Sequence, residues 1–218
     1  MSMIRVLNKL QEEGSSEFTT AEEIKKYSRQ LYYNYQNVIN FLLLQGYLVK
    51  IFEGIYYVKT PDEIEAKKLK YSLLELVGRG LKLRGIKDWY YGLYTALKLN
   101  GVNIKQNQNK DEEIFYIMTN RLFKGKPILI ANRKFKFIKL KHSLFSFGVE
   151  HQKVRFSDFE KTVMDFIYLW KYNGIHSQKI IVDIVKFMPH VDEEKITNYA
   201  QYYPESNQKI LKEALSNR

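Results

Sequence analysis

The stretch Ser28–Gln45, SRQLYYNYQNVINFLLLQ, constrains the fold more than any other, because its apolar and polar residues separate cleanly at helical spacing. On a helical wheel Leu31, Tyr35, Val38 and Leu42 fall on one face, and Arg29, Tyr33, Gln36, Asn37 and Asn40 fall on the opposite one. Such a helix must bury its apolar side against partners, so its flanks decide what it belongs to.

The flanks supply partners in a definite order. Ile4–Glu12 carries Ile4, Val6, Leu7 and Leu10 at the spacing of a short amphipathic helix, closed by Gly14. Thr20 with Glu23 is a capping box opening a second short helix that contains Ile24 and Tyr27. Ser28 stands where it can cap the third helix, and Gly46 stands where that helix ends in the left-handed conformation. YLVKIF, the dipeptide Glu53-Gly54 and IYYVK then read as a β-hairpin. Three helices followed by a hairpin predict a winged helix-turn-helix over 1–60, with its third helix in a DNA major groove and its wing along the backbone.

The outer face of the third helix has suitable chemistry. Arg pairs well with guanine, Asn and Gln with adenine, and Tyr reaches a phosphate or a thymine methyl. The expected DNA-binding set is Arg29, Gln30, Tyr33, Gln36, Asn37 and Asn40, with Lys50 and Lys59 meeting phosphates. An ordinary solvated surface, or a winged module used for protein contact, are the competing readings.

Charge complicates this picture. The 218 residues hold 35 Lys and Arg against 24 Asp and Glu, a net charge of +11, yet Met1–Thr60 has only seven basic residues against six acidic ones. The excess is concentrated later: Lys67–Lys87 has seven basic residues and one acid, and Arg121–Lys141 has eight and none. Arg79, Lys82, Arg84, Arg133, Lys134, Lys136, Lys139 and Lys141 are therefore expected to form a basic surface for a polyanionic partner. The lack of cysteine excludes disulfides, thiolate nucleophiles and Cys-based zinc sites. With no long apolar run and a polar N-terminus, the chain is expected in the cytoplasm and off the membrane.

After the module, Thr60-Pro61-Asp62 opens a helix expected to run through Val77, and Gly78, Gly80 and Gly85 make GRGLKLRG read as a basic loop. The expected domains are 1–60, a link over 61–87, and 88–218. Asp88 is expected to cap a helix over WYYGLYTALKLNG, and VNIKQNQNKDEE to form a surface loop. IFYIMTN, PILIAN, RKFKFIKLK and LFSFGVE read as strands, the third with a change of apolar phase that implies a bulge or two covered faces. Ser157 and Glu160 read as a second capping box, starting a helix with Phe159, Val163, Phe166, Ile167 and Trp170 on its apolar face. Three further helical segments follow and are expected to wrap the sheet. The fold class is thus α+β: the winged module, then a larger mixed domain with an antiparallel sheet and C-terminal helices.

No catalytic motif is present. Asp158, Lys161 and Asp165 can share a helix face and allow a nuclease reading, but helix capping and the helix dipole explain the acids near Ser157 more simply. His142, His151, His176 and His190 show no metal-ligand spacing. No cofactor or metal is expected, and no enzyme activity.

Several stretches resemble AbiEi-type antitoxins of type IV toxin–antitoxin systems. They are the module ending in Gly54-Ile55-Tyr56, then WYYGLYTALKLNGV, FKFIKLKHSLFSFGVE and above all VRFSDFEKTVMDFIYLWKYNG. In the last, Ser157, Glu160, Lys161, Thr162 and Asp165 fall where the family's pattern places them. The resemblance implies a winged helix that represses the operon at promoter repeats. It also implies a C-terminal domain that counters a nucleotidyltransferase-like toxin. A monomer or weak dimer, cooperative on DNA, fits repeated sites. The alternatives are a nucleic-acid-processing enzyme with a winged targeting module and a ligand-sensing transcription factor.

Overall fold

The computed structural model describes residues 3–13, 17–102, 113–123 and 125–217. Two expectations lie outside these residues: the closing glycine Gly14 and most of the loop VNIKQNQNKDEE. The chain is α+β and divides into two compact units, 1–85 with 129–132, and 86–128 with 133–218.

The first unit runs α1 (Ile4–Glu12), β1 (Phe18–Thr20), α2 (Ala21–Gln30), α3 (Tyr35–Leu44), β2 (Leu48–Phe52), β3 (Ile55–Val58), α4 (Pro61–Glu65) and α5 (Leu73–Leu83). Its three strands lie in the order β1-β3-β2, all neighbours antiparallel. This is the element order expected of a winged helix-turn-helix, with one short strand added. Apolar faces of all three leading helices meet in one core, where Val6, Leu7, Leu10, Ile24, Tyr27, Val38, Ile39 and Leu42 join Leu48, Tyr56 and Val58. Each fully buried aliphatic side chain here contributes about 1.5 to 3 kcal/mol.

Helix boundaries differ from the sequence reading at one informative place. The Thr20–Glu23 capping box forms as expected, but α2 continues through Gln30. Ser28 is inside it, buried, with its hydroxyl donating to the Ile24 carbonyl at 2.6 Å. The cap of α3 is instead Asn34, whose side chain accepts from the Asn37 amide at 3.2 Å. Ser28 is thus not a cap, because a serine bonded back within its own helix has no need to end it.

The link is also reorganised. Thr60 and Glu63 form a capping box, but α4 ends at Glu65, and Ser72 with Glu75 caps a separate helix, α5. Gly78 and Gly80 lie inside α5, so GRGLKL is helical rather than a loop, and Arg84 and Gly85 form the turn that follows it. Gly80 is buried, and a Cβ on it would stand 2.7 Å from Ile51 Cγ2 and 3.0 Å from the Phe52 ring. Its role is close helix–strand packing.

In the second unit the strands of the sheet lie in the order β7-β5-β4-β9-β8. They are β4 (Trp89–Tyr91), β5 (Ile114–Thr119), β7 (Arg133–Lys139), β8 (Val149–His151) and β9 (Arg155–Ser157), while β6 (Ile128–Ile130) falls across the division between the units. Antiparallel pairs β4–β5 and β8–β9 alternate with parallel pairs β5–β7 and β4–β9. Trp89–Tyr91, expected in a helix, forms a strand with every side chain buried. Only α6 (Leu93–Leu99) is helical, begun by Gly92 and not by Asp88. LFSF is likewise not a strand: His142–Phe145 is a 3-10 turn ahead of β8. The register of β5 on β7 runs unbroken from Ile114↔Lys134 to Thr119↔Lys139, so β7 has no bulge opposite β5. Its change of apolar phase reflects two covered faces, since Phe135, Phe137 and Leu140 are all buried.

The helices α7 (Phe159–Tyr172), α8 (Ser177–Val185), α9 (Glu193–Ala200) and α10 (Glu205–Ser216) pack with α6 against one face of this sheet, where Tyr90, Tyr116, Met118 and Leu140 join their core. No helix among the described residues is long and apolar enough to cross a membrane.

Candidate nucleic-acid interface

On the first unit, the exposed side of α3 is polar apart from Leu44 at its end, which is 85% exposed. Gln36, Asn37 and Asn40 are exposed, with the Gln36 amide donating to Asn40 Oδ1 at 3.0 Å along the helix. The inner side is anchored by Val38, Ile39 and Leu42. Tyr35, at the helix start, hydrogen-bonds Tyr56 of β3; burial first, and then this neighbour, push the Tyr56 phenol up to about 12. The helix has no acid in its first turn, and no base in its last.

The other expected DNA contacts divide. Arg29 and Gln30 are exposed at the end of α2, one turn of chain before α3, while Tyr33 is half-buried against the core. Lys50 is exposed near the hairpin tip but is paired with Glu53 at 2.6 Å. Lys59 lies at the opposite, open end of the hairpin: its amide donates to the Tyr47 carbonyl, and a Cβ on Gly46 would be 3.8 Å from its ammonium. The wing therefore does not bring Lys50 and Lys59 together. Sequence reasoning missed Lys25, exposed on α2 with its ammonium 5.2 Å over the Tyr35 ring, beside the start of α3. Its signal was its place on the outer face of the second helix, an element read only for its apolar side.

The residues of the expected basic surface belong to both units: Arg79 and Lys82 on α5 with Arg84 as its C-cap are in the first, and Arg133–Lys141 is in the second. Arg79 pairs with Glu17 at 3.0 Å and stacks on Tyr71 at 3.7 Å, so its charge is already met. Along β7, Arg133, Lys139 and Lys141 are exposed, whereas Lys134 and Lys136 are half-buried on the face shared with Ile138.

The most organised polar cluster lies around α7. Its N-cap is Asp158, which accepts from the Lys161 amide at 2.8 Å; the expected Ser157–Glu160 box does not form, because Ser157 ends β9 and its hydroxyl bonds Thr162. Glu160 instead accepts from the Asp192 amide and pairs with Lys195 at 2.9 Å, which also reaches Asp158 at 3.1 Å. Deeper in, Asp165 accepts from Tyr90 at 2.8 Å and from Tyr203 at 2.7 Å, and lies 3.4 Å from the Lys161 ammonium. That ammonium also lies 4.5 Å from the Phe147 ring centroid and 4.9 Å from that of Tyr90. Burial lowers the Lys161 pKa, against the pull of Asp165, and raises the Tyr90 and Tyr203 phenols well above the usual range.

Lys161 and Asp165 are wholly inaccessible. This inner part of the cluster ties α7 to β4 and to the segment before α10, while its outer part reaches the surface at Lys195, whose side chain is 40% exposed. Among the described residues, no set of three or more His, Asp or Glu side chains is placed to hold a metal.

No family model matches the chain, and no curated protein does. Among solved structures the chain is similar to the crystal structure of the RV2827C protein from Mycobacterium tuberculosis, with 13% identity and a TM-score of 0.56, over 97% of this chain and 75% of that one. At that identity the likeness is one of fold.

Proposed function

We propose that this chain is a cytoplasmic, DNA-binding antitoxin that represses its own operon through the first unit and counters a nucleotidyltransferase-like toxin through the second. The observation that carries the DNA half is the exposed, acid-free face of α3 with Gln36, Asn37 and Asn40, preceded by the exposed Arg29 in the last turn of α2. Amide side chains in that position are suited to reading adenine edges in a major groove. The module's own net charge is small, with seven basic residues against six acidic over 1–60, so affinity on this reading draws on a second copy at a repeated site or on the basic second unit.

The antitoxin half rests on the resemblance carried by the segment from Val154 to Gly174. The exposed cations Arg133, Lys139 and Lys141 are its contact candidates for an acidic or RNA-bound toxin. The test has two readouts. The protein retards a duplex from upstream of its own gene, with Arg29→Ala or Asn37→Ala each weakening binding by about 1 to 3 kcal/mol. Co-expression with the neighbouring toxin gene restores growth, and replacing Lys139 and Lys141 reduces that protection more than it reduces promoter binding. Unchanged DNA binding in both α3-side variants would remove this helix from the interface; full protection by the lysine variant would remove β7.

A further inference from the structure

The turn between α2 and α3 passes through Tyr32 in the left-handed conformation, φ 59°. Two backbone bonds close it: the Tyr32 amide donates to the Arg29 carbonyl at 3.1 Å, and the Tyr33 amide to the Ser28 carbonyl at 2.8 Å. The left-handed residue of this motif is usually glycine, because a Cβ there crowds the following carbonyl. Three other helices follow that preference, whereas the short helix α4 is followed by Lys67, exposed and left-handed at φ 51°. Helices α3, α6 and α7 close with the same pair of bonds around Gly46, Gly101 and Gly174, at φ 68°, 81° and 78°.

Burial does not offset the cost at Tyr32. Leu93 is also left-handed, at φ 51°, but its side chain is only 7% exposed and packs in the core of the second unit. Tyr32 is 97% exposed. Lys67, Ala131 and Asn132 are left-handed and exposed as well, but Tyr32 is the aromatic among them, and a strained position that holds a ring in water motivates a role outside the fold. Exposed Arg29 and Gln30 precede it, and exposed Gln36 and Asn37 follow.

We infer that Tyr32 is a DNA-contact residue: its ring packs on the sugar–phosphate backbone at the rim of the groove that α3 enters, and its hydroxyl donates a hydrogen bond to a phosphate oxygen. The inference rests on the DNA-binding reading above. A contact to the backbone from the turn just ahead of the reading helix fixes that helix's register in the groove. A neutral phenol also adds affinity where the module has little net charge to offer.

The test compares wild type, Tyr32→Gly and Tyr32→Phe in thermal unfolding and in binding to a duplex from upstream of the gene. Glycine relieves the strained position, so Tyr32→Gly raises the unfolding midpoint, by about 2 to 4 °C. The same substitution weakens duplex binding about fivefold to tenfold, while Tyr32→Phe leaves the midpoint unchanged and costs about threefold. Salt dependence stays that of wild type, since no charge is removed. A Tyr32→Gly protein that is more stable and binds as wild type overturns the inference, and one that unfolds earlier overturns it by giving the ring a structural role. Failure of the wild-type protein to bind the duplex sinks the DNA-binding reading itself, and the inference with it.

Discussion

The phenol of Tyr90 on β4 and the carboxylate of Asp165 on α7, 75 residues apart in sequence, meet at 2.8 Å inside the second unit. The same carboxylate receives the Tyr203 phenol and faces the Lys161 ammonium, so one acid joins a strand, a helix and the segment leading into α10. A buried charge pair of this kind costs desolvation whichever way it is made, and most is lost when one partner alone is removed.

Removing one partner is therefore expected to be severe. Asp165→Ala leaves Lys161 buried without its counter-charge and lowers unfolding free energy by about 3 to 5 kcal/mol, read from urea denaturation. Replacing both, as Lys161→Met with Asp165→Leu, is expected to recover most of that loss. A double variant no more stable than Asp165→Ala would mean that the phenol bonds, and not the charge pair, hold the cluster.

Glu63 supplies a pH-dependent contribution in the first unit. It is buried, yet it accepts from the Tyr57 phenol and from the Lys70 and Thr60 amides, at 2.8, 2.6 and 2.9 Å. Burial alone raises its pKa, but the hydrogen bonds outweigh it and hold the carboxyl below its ordinary 4.5. A carboxylate depressed in the folded state stabilises above its unfolded value and loses that contribution as pH falls through the folded one. Glu63→Gln is expected to lower stability by about 1 to 3 kcal/mol at neutral pH and to flatten the acid limb of a stability–pH profile below about 4.5. An unchanged acid limb would assign that limb to other carboxylates.

Helix propensity and packing predict opposite signs at Gly80. In an exposed helix, Gly→Ala stabilises by about 1 kcal/mol. Here the new methyl would stand 2.7 Å from Ile51 Cγ2, so Gly80→Ala is expected to destabilise by about 1 to 3 kcal/mol in thermal or urea unfolding. Adding Ile51→Val should recover part of it; a stabilised single variant would show that α5 moves away at little cost.

The cap of α3 can be located by substitution. Asn34→Ala removes the acceptor for the Asn37 amide and is expected to cost about 1 kcal/mol, whereas Ser28→Ala, inside α2, should be close to neutral. Equal losses in urea denaturation would count against Asn34 as the cap.

Much of this architecture is local and was legible in the chain. The apolar stripes of α1 and α3, the Thr20–Glu23 box, the Thr60-Pro61-Asp62 helix start, the glycine stop at Gly46 and the Glu53-Gly54 hairpin each depend on neighbours within a few residues, so their spacing states them. Strand β4 was not legible, because Trp89, Tyr90 and Tyr91 are covered on both faces and leave no alternation to tell a strand from a helix. Gly80 read as a chain breaker, because what it avoids is a side chain of β2 with no signature near it in the sequence. Periodicity chose the outer face of α3 without showing the left-handed turn that sets Tyr32 beside it. Lys161 and Asp165 stood four residues apart in plain view, but their two phenol partners come from β4 and from the segment before α10. Spacing along a helix determined that the two could meet; only the folding of distant segments around them decided that they are sealed from water.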